Sequence, residues 1–155
     1  MAQPDNASLR SACEADLAAL SDLCFRSKAV WGYDAAFMEA CRAELTLAPR
    51  DLLESNVQVV ESGGRIVGVV QVAVTGRESS LEKLFVAPEA LRAGAGRKLF
   101  AWAVETARKR GARSLAIESD PGAADFYRRM GARDAGLAPS GSIPGRWLPL
   151  LKLDL

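Results

Sequence analysis

The run "RIVGVVQVAV", Arg65 to Val74, sets the strongest limit on the fold. Both of its alternating faces are apolar, with Ile66, Val70, Val72 and Val74 on one and Val67, Val69 and Ala73 on the other. A strand with one face in water alternates apolar and polar residues, so this one must be covered on both sides as a central strand. "VQVVES" precedes it across Gly63-Gly64, a hairpin turn signal, and "LEKLFV" follows the turn at Gly76 as the next strand.

Around these strands the apolar period changes to that of a helix. "SLRSA" reads as a short first strand. Helix signals begin at Glu14 and carry Leu17, Leu20 and Cys24 at helical spacing. "WGY" interrupts, and Asp34 is placed to cap a second helix with Phe37, Met38, Cys41 and Leu45. Pro49 opens a short turn through Leu53, with some helical character. After "LEKLFV" comes a helix carrying Leu99, Phe100, Ala103, Val104 and Ala107, ended by Gly111. "RSLAIES" is a strand, and Asp120-Pro121 caps a helix carrying Ala123, Phe126, Tyr127 and Met130. The tail "RWLPLLKLDL" closes a final pair of strands, and Pro149 confines it to an edge or a bulge. Helices after the fourth and fifth strands favour parallel neighbours there, and the hairpins favour antiparallel pairing elsewhere. The chain reads as one domain, residues 1–155, built on a mixed α/β sheet.

Composition excludes several chemistries. There is no histidine, hence no Ser-His or Cys-His nucleophile pair and no imidazole acid or base. Proton transfer is left to carboxylates, tyrosine, lysine, cysteine or water. A net charge of +1 gives no global field for nucleic acid or anionic membrane. Cys13, Cys24 and Cys41 lack CxxC spacing and read as buried free thiols rather than bridges or metal ligands. "MAQPDNASLR" has no apolar run of the kind a signal peptide needs, and no stretch approaches a membrane span. The expectation is a cytoplasmic protein without a bound metal.

"VAPEALRAGAGRKLF", Val86 to Phe100, runs from a strand end through Gly94 and Gly96 into a helix. A helix N-terminus has unpaired N–H groups and a positive dipole end, and glycine lets a ligand approach them closely. Arg92, Arg97 and Lys98 add local charge. This is the build of an anion site, typically for phosphate. A dinucleotide fingerprint would need a third glycine where Leu99 stands, and the GK[ST] of a P-loop is absent. On these residues alone, a purely structural turn remains open.

A second motif narrows the choice. "VAPEALRAGAGRKLF", followed by "SDPGAADFYRRMGA", resembles the GNAT-type N-acetyltransferases in motif content and in element order over nearly the whole chain. The family pattern is V-x-P, then R/Q-x-x-G-x-G/A, then D-P-N-A-x-x-F-Y. Leu91 stands where arginine or glutamine is usual, and Gly122 where asparagine is common. The resemblance implies a strongly twisted mixed sheet of about six to seven strands with about four helices on both faces. It implies acetyl-CoA as cosubstrate, with pyrophosphate on the amides of Arg92, Ala93, Gly94, Ala95, Gly96 and Arg97. Pantetheine would lie along Leu84, Phe85 and Val86, near Asp120 and Tyr127.

For chemistry, the resemblance makes Tyr127 the general acid or the group that orients the sulfur. Glu82 is the candidate base, on the strand before the loop and on one face with Ser80, Leu84 and Val86. Glu118 and Asp120 are weaker choices for that role. Trp31 and Tyr33, with Arg26 and Lys28 nearby, and the loop "PSGSIPGR" are candidates for the acceptor side. The implied activity is transfer of an acetyl group to a primary amine of a small molecule or peptide by direct attack in a ternary complex. The alternative is an acyl-CoA-binding sensor of the same fold. A homodimer is compatible with the resemblance, whereas a nucleic-acid partner is not expected, because the basic excess is confined to one helix.

Overall fold

The computed structural model describes residues 7–155. "MAQPDN", at the head of the segment in which no leader is expected, lies outside them. Strand β1 (Ser8–Ser11) leads through a single 3₁₀ turn into α1 (Leu17–Ala29), α2 (Ala35–Leu45) and the short α3 (Pro49–Glu54). Strands β2 (Asn56–Ser62), β3 (Arg65–Thr75) and β4 (Glu78–Val86) follow, then α4 (Ala95–Lys109) and β5 (Ser114–Glu118). The chain ends with α5 (Ala124–Arg129), β6 (Arg133–Pro139) and β7 (Trp147–Asp154). The turn at Pro49 is thus a fifth helix, with proline at its first position and the Asp51 carboxylate accepting the Ala48 N–H at 2.7 Å.

Among the described residues all strands join one sheet in the order β1-β2-β3-β4-β5-β7-β6, and only the β4–β5 pair is parallel. The sequence pattern leads one to expect a parallel partner for the strand after α5 as well. Instead β7 folds back from β6 and inserts antiparallel between β6 and β5. Pro149, now in an interior strand, sits where β6 carries an irregularity between Asp134 and Leu137. Of the edge or bulge expected for it, the bulge is what it occupies.

β3 is covered on both faces, as its composition demands. Val70 and Val72 pack with Leu99, Phe100 and Ala103 of α4 on one side, while Val69 packs with Leu20, Leu23 and Met38 of α1 and α2 on the other. Each of these valines is fully buried, a contribution of about 1.5–3 kcal/mol apiece. One part of the expected alternation changes. Val67 is an extra residue opposite the Val60/Glu61 step of β2, and this bulge turns Ile66 toward the α1–α2 core instead of the Val70 face. Gly68 lies just beyond it, and a Cβ there would come within 2.8 Å of Leu99 Cδ1, so glycine lets α4 settle close to the sheet.

Of the three cysteines, Cys24 and Cys41 are buried, but Cys13 is exposed because it precedes the first turn rather than lying on the apolar helix face. Burial pushes the Cys24 thiol up to about 12 and raises that of Cys41, so both stay protonated and inert.

β1 is tied to the start of α1 by charge. Arg10 donates to both Asp16 oxygens at 2.8 and 3.0 Å and to Glu61 at 2.8 Å, and Asp16 also accepts the Cys13 N–H at 2.8 Å. The Arg10 guanidinium holds the Asp16 carboxyl well below the usual carboxylate range. A depressed folded pKa contributes stability that is full above the unfolded value near 4 and is lost as pH falls below it. Asp16→Asn is therefore expected to lower the urea-unfolding free energy by about 1–2 kcal/mol at neutral pH. The deficit should shrink progressively below about pH 4, and a constant deficit down to pH ~2 would refute the linkage.

Candidate active site

The sheet opens between its two parallel strands. β4 pairs β5 only over Glu78–Leu81, against Ser114–Ile117, while its other edge stays paired with β3 as far as Val86. The divergence begins at a bulge. Gln71 faces Lys83 and the adjacent Val72 faces Leu81, which leaves Glu82 as the unpaired extra residue. Beyond it, among the described residues, Lys83 to Val86 have no strand partner on the β5 side, and β5 continues with β7. The bulge also resets the alternation. Leu81, Leu84 and Val86 all pack toward α4, and Phe85 packs toward α1. The expected sharing of one face by Glu82, Leu84 and Val86 is therefore corrected.

The loop after β4 delivers the N-terminus of α4 to this opening. Gly94 caps the helix at φ 87°, a left-handed conformation, and Arg92 is left-handed as well at φ 67°. For a residue with a side chain that costs about 1–2 kcal/mol. Alternating handedness in a loop turns successive N–H groups toward one side, the geometry of a backbone anion nest. Among the described residues the amides of Arg92, Gly94, Ala95, Gly96 and Arg97 have no backbone acceptor, whereas Ala93 bonds Ala90 at 3.4 Å and Lys98 bonds Gly94 at 3.2 Å. A Cβ built on Gly96 would lie 3.6 Å from Phe126 and 3.9 Å from Val86, so this amide stands between β4 and α5.

Tyr127, on α5, belongs to the apolar cluster that also takes in Leu84 and Val86 of β4. It is 7% exposed and packs against Phe100 and Phe126, with ring centroids 5.7 and 5.2 Å away. Its hydroxyl makes no hydrogen bond among the described residues, and no fully buried side-chain oxygen there is left unpaired, so the oxygen reaches the cluster's solvent boundary. Burial drives this phenol well above the ordinary tyrosine range and keeps it protonated. Glu82 lies apart from Tyr127. It is exposed on the bulge and accepts the Ser80 hydroxyl at 2.5 Å, on the sheet face opposite Leu81.

Asp120, just beyond β5, is the centre of a third group. Its Oδ1 accepts the Gly122 N–H at 3.0 Å, and Oδ2 accepts the Tyr33 hydroxyl at 2.6 Å. Lys28 Nζ and Arg146 Nη2 each stand 3.7 Å from that same Oδ2, and Arg146 donates to the Tyr33 hydroxyl at 2.7 Å. Tyr33 stacks on Phe37 with centroids 4.0 Å apart. The end of α1, the start of α2, the β5–α5 turn and the β6–β7 loop thus meet at one carboxylate. Burial, then the Asp120 carboxylate, raises the Tyr33 phenol above its ordinary value.

Trp31 explains Gly122. A Cβ on Gly122 would come within 2.7 Å of Trp31 Cζ3 and 2.9 Å of Cε3, so the indole occupies the space a side chain there would need. Because Trp31 is half exposed, it can swing away, at the cost of its contact. Gly122→Ala is expected to cost about 1–2 kcal/mol in native Trp31 background and nearly nothing after Trp31→Ala. Chemical denaturation of the four proteins of this cycle measures the coupling, and additive effects would separate the two residues.

The expected site residues therefore fall into three groups. Leu84, Phe85, Val86 and Arg92 to Arg97 line the opening at β4 and α4, with Tyr127 on the α4–α5 face. Trp31, Tyr33 and Asp120 meet on the α1–α2 face, and Glu82 touches neither set through its one hydrogen bond. Reading the sequence missed the convergence of Lys28, Phe37 and Arg146 on Tyr33 and Asp120. No local signal carries it, because Arg146 comes from 113 residues away. Among the described residues no helix is long and apolar enough to cross a membrane, and no group of three or more His, Cys, Asp or Glu is placed to hold a metal.

The fold has counterparts among solved structures. The fold is similar to PaiA N-acetyltransferase from Thermoplasma acidophilum, solved in complex with coenzyme A, at TM-score 0.77 and 14% identity over 96% of this chain and 99% of that one. It is similar to yncA from Salmonella typhimurium, solved with its cofactor acetyl-CoA, at TM-score 0.68 and 23% identity over 97% and 93%. A ribosomal-protein-alanine N-acetyltransferase from Brucella melitensis gives TM-score 0.67 and 28% identity over 96% and 98%. No curated protein matches the sequence. The model of the acetyltransferase (GNAT) family matches residues 19–132, from α1 through the end of α5, including the β4–β5 opening and the glycine loop. The chain belongs to the GNAT acetyltransferase family.

Proposed function

We propose that the protein transfers an acetyl group from acetyl-CoA to a primary amine of a small molecule or peptide, by direct attack within a ternary complex. One observation carries the reading: among the described residues an unpaired strand edge at residues 83–86 and a helix N-terminus with free amides at Arg92 and at residues 94–97 border the same opening. An extended amide-bearing chain can bond such an edge as an added strand, and a pyrophosphate suits the amides and the positive end of α4. Those residues fit acetyl-CoA, which when bound supplies an activated thioester whose C–S bond breaks as the amine nitrogen bonds to the acetyl carbon.

Each remaining requirement falls to a residue of this chain. An ammonium group must lose a proton before it can attack, and Glu82, a solvent-reached carboxylate beside the opening, takes it through water. The second proton, shed by the nitrogen as the amide forms, passes through water to the departing thiolate. A free amide of the β4 edge donates to the carbonyl oxygen as negative charge gathers there. Tyr127 donates a hydrogen bond to the departing sulfur. Because burial raises its pKa, full proton transfer to a thiolate of pKa about 8.5 is unfavourable, so its role is to orient and stabilise the sulfur rather than surrender the proton.

A second reading, acyl-CoA sensing without turnover, draws on Leu91, whose exposed apolar side chain offers nothing to a phosphate. Calorimetric titration with acetyl-CoA, with dephospho-CoA and ATP as controls, tests the shared premise. Saturable binding of acetyl-CoA is expected, and absence of binding at millimolar ligand would overturn both readings. Release of free thiol with an amine panel then separates enzyme from sensor.

A further inference from the structure

We infer that the acceptor amine also carries a carboxylate, held by Lys28 and Arg146, so that the acceptor class is amino acids or amino-acid-like monoanions. This rests on the acetyl-transfer reading for the amine, but the anion site stands on its own geometry. Two cations share one carboxylate here: the Lys28, Arg146 and Asp120 side chains are 11%, 18% and 14% exposed. At 3.7 Å neither cation hydrogen-bonds Asp120, whose oxygens already accept the Gly122 N–H and the Tyr33 hydroxyl.

Among the described residues Lys28 Nζ therefore has no hydrogen-bond acceptor, and Arg146 uses only Nη2, on Tyr33. Each cation is only partly compensated: Lys28 Nζ has the shared carboxylate at 3.7 Å and the Tyr33 ring centroid at 5.6 Å, and Arg146 has that carboxylate and one hydrogen bond, so both keep donors that an anion can take. Stacking supports this. The Arg146 guanidinium lies 5.1 Å from the Tyr33 ring centroid and 4.9 Å from that of Phe37, which fixes its plane. Because Nη2 spends one of its two protons on Tyr33, the other can still form a fork with Nε or Nη1 for a planar oxyanion. Among the described residues no fully buried side-chain donor is left unpaired, so these atoms remain accessible to a ligand. Two positive charges less one leaves a single excess charge, which matches a monoanionic carboxylate better than a phosphate dianion. The cluster follows the C-terminal end of β5, on the α1–α2 side of the β4–β5 opening, which is where ligands of parallel strands bind. A carboxylate fixed there leaves the amine of the same molecule to face the opening.

The test is equilibrium binding, independent of turnover. The wild-type chain is titrated by calorimetry with the standard amino acids and with their carboxamides, in the presence and absence of CoA. At least one amino acid is expected to bind about ten- to a hundredfold more tightly than its amide. Arg146→Gln and Lys28→Met should each remove most of that preference without changing acetyl-CoA affinity, and Arg146→Lys, which keeps charge but loses the planar fork, should fall between. Melting curves check that each variant is folded; where Arg146→Gln is not, Lys28→Met decides. Equal binding of acid and amide, tighter binding of the amide, no binding of any amino acid, or a preference that survives both substitutions would overturn the inference. A carboxylate preference with no acetyl-CoA binding would leave it standing and remove the acetyl-transfer reading instead.

Discussion

Gly96→Asp is expected to weaken acetyl-CoA binding at least a hundredfold while leaving the fold as stable as before, or slightly more so. The two effects have opposite signs because one residue meets two different demands. Gly96 is the second residue of α4, where an aspartate complements the positive end of the helix and gains about 0.3–1 kcal/mol. Its backbone lies in the ordinary helical region rather than the left-handed one that Gly94 adopts at φ 87°. Space is also available, since an added Cβ finds Phe126 at 3.6 Å, an ordinary contact. Glycine to a residue with a side chain at a compatible site further reduces the freedom of the unfolded chain. The same carboxylate would stand beside the free amides of Arg92 and of residues 94–97 and repel a pyrophosphate there. Gly94→Asp, by contrast, would mix that repulsion with strain at a left-handed position. Calorimetry and thermal melting on the Gly96 variant separate folding from binding. Retained affinity would mean that the amides at the head of α4 are not the phosphate site.

Legibility in the sequence followed the range of the interactions. The order of strands and helices was readable because β3, α4 and the Asp120-Pro121 turn each declare themselves within about ten residues by period or capping. Sheet order was less so. Nothing near β6 tells that β7 will insert beside β5, because that choice is made by contacts between strands far apart in sequence. The bulges at Val67 and Glu82 were hidden for the same reason, since a bulge is a mismatch between two strands and neither sequence shows it alone. This mattered most at Glu82, where the bulge both breaks the alternation and opens the sheet. The candidate cofactor side, made of two contiguous segments, was therefore visible early. The α1–α2 side was visible only as aromatics and cations in separate loops, until Arg146 and Asp120 met over Tyr33.

Tyr127→Phe is expected to lower kcat by about ten- to a hundredfold, with acetyl-CoA affinity and melting temperature nearly unchanged. The size follows from the role. A hydrogen bond that stabilises charge building on sulfur is worth about 1.5–3 kcal/mol, whereas a proton donor essential to bond cleavage would cost several powers of ten more. A thiolate is already a good leaving group, with a thiol pKa near 8.5, and the phenol is pushed upward by burial, so the larger figure has no physical source here. Stability should be indifferent because the hydroxyl has no partner among the described residues, and the ring that packs on Phe100 and Phe126 is retained. The two halves of this result test different claims. Unchanged kcat would leave Tyr127 a core residue whose hydroxyl plays no part in transfer. A fall of four or more powers of ten would instead make it an obligatory proton donor, which requires bound cosubstrate to pull the phenol's pKa down toward that of the thiol. The pH profile distinguishes these cases: a hydrogen-bond donor of raised pKa leaves kcat free of any alkaline limb from Tyr127 below about pH 10, and an obligatory donor tuned to the thiol imposes one.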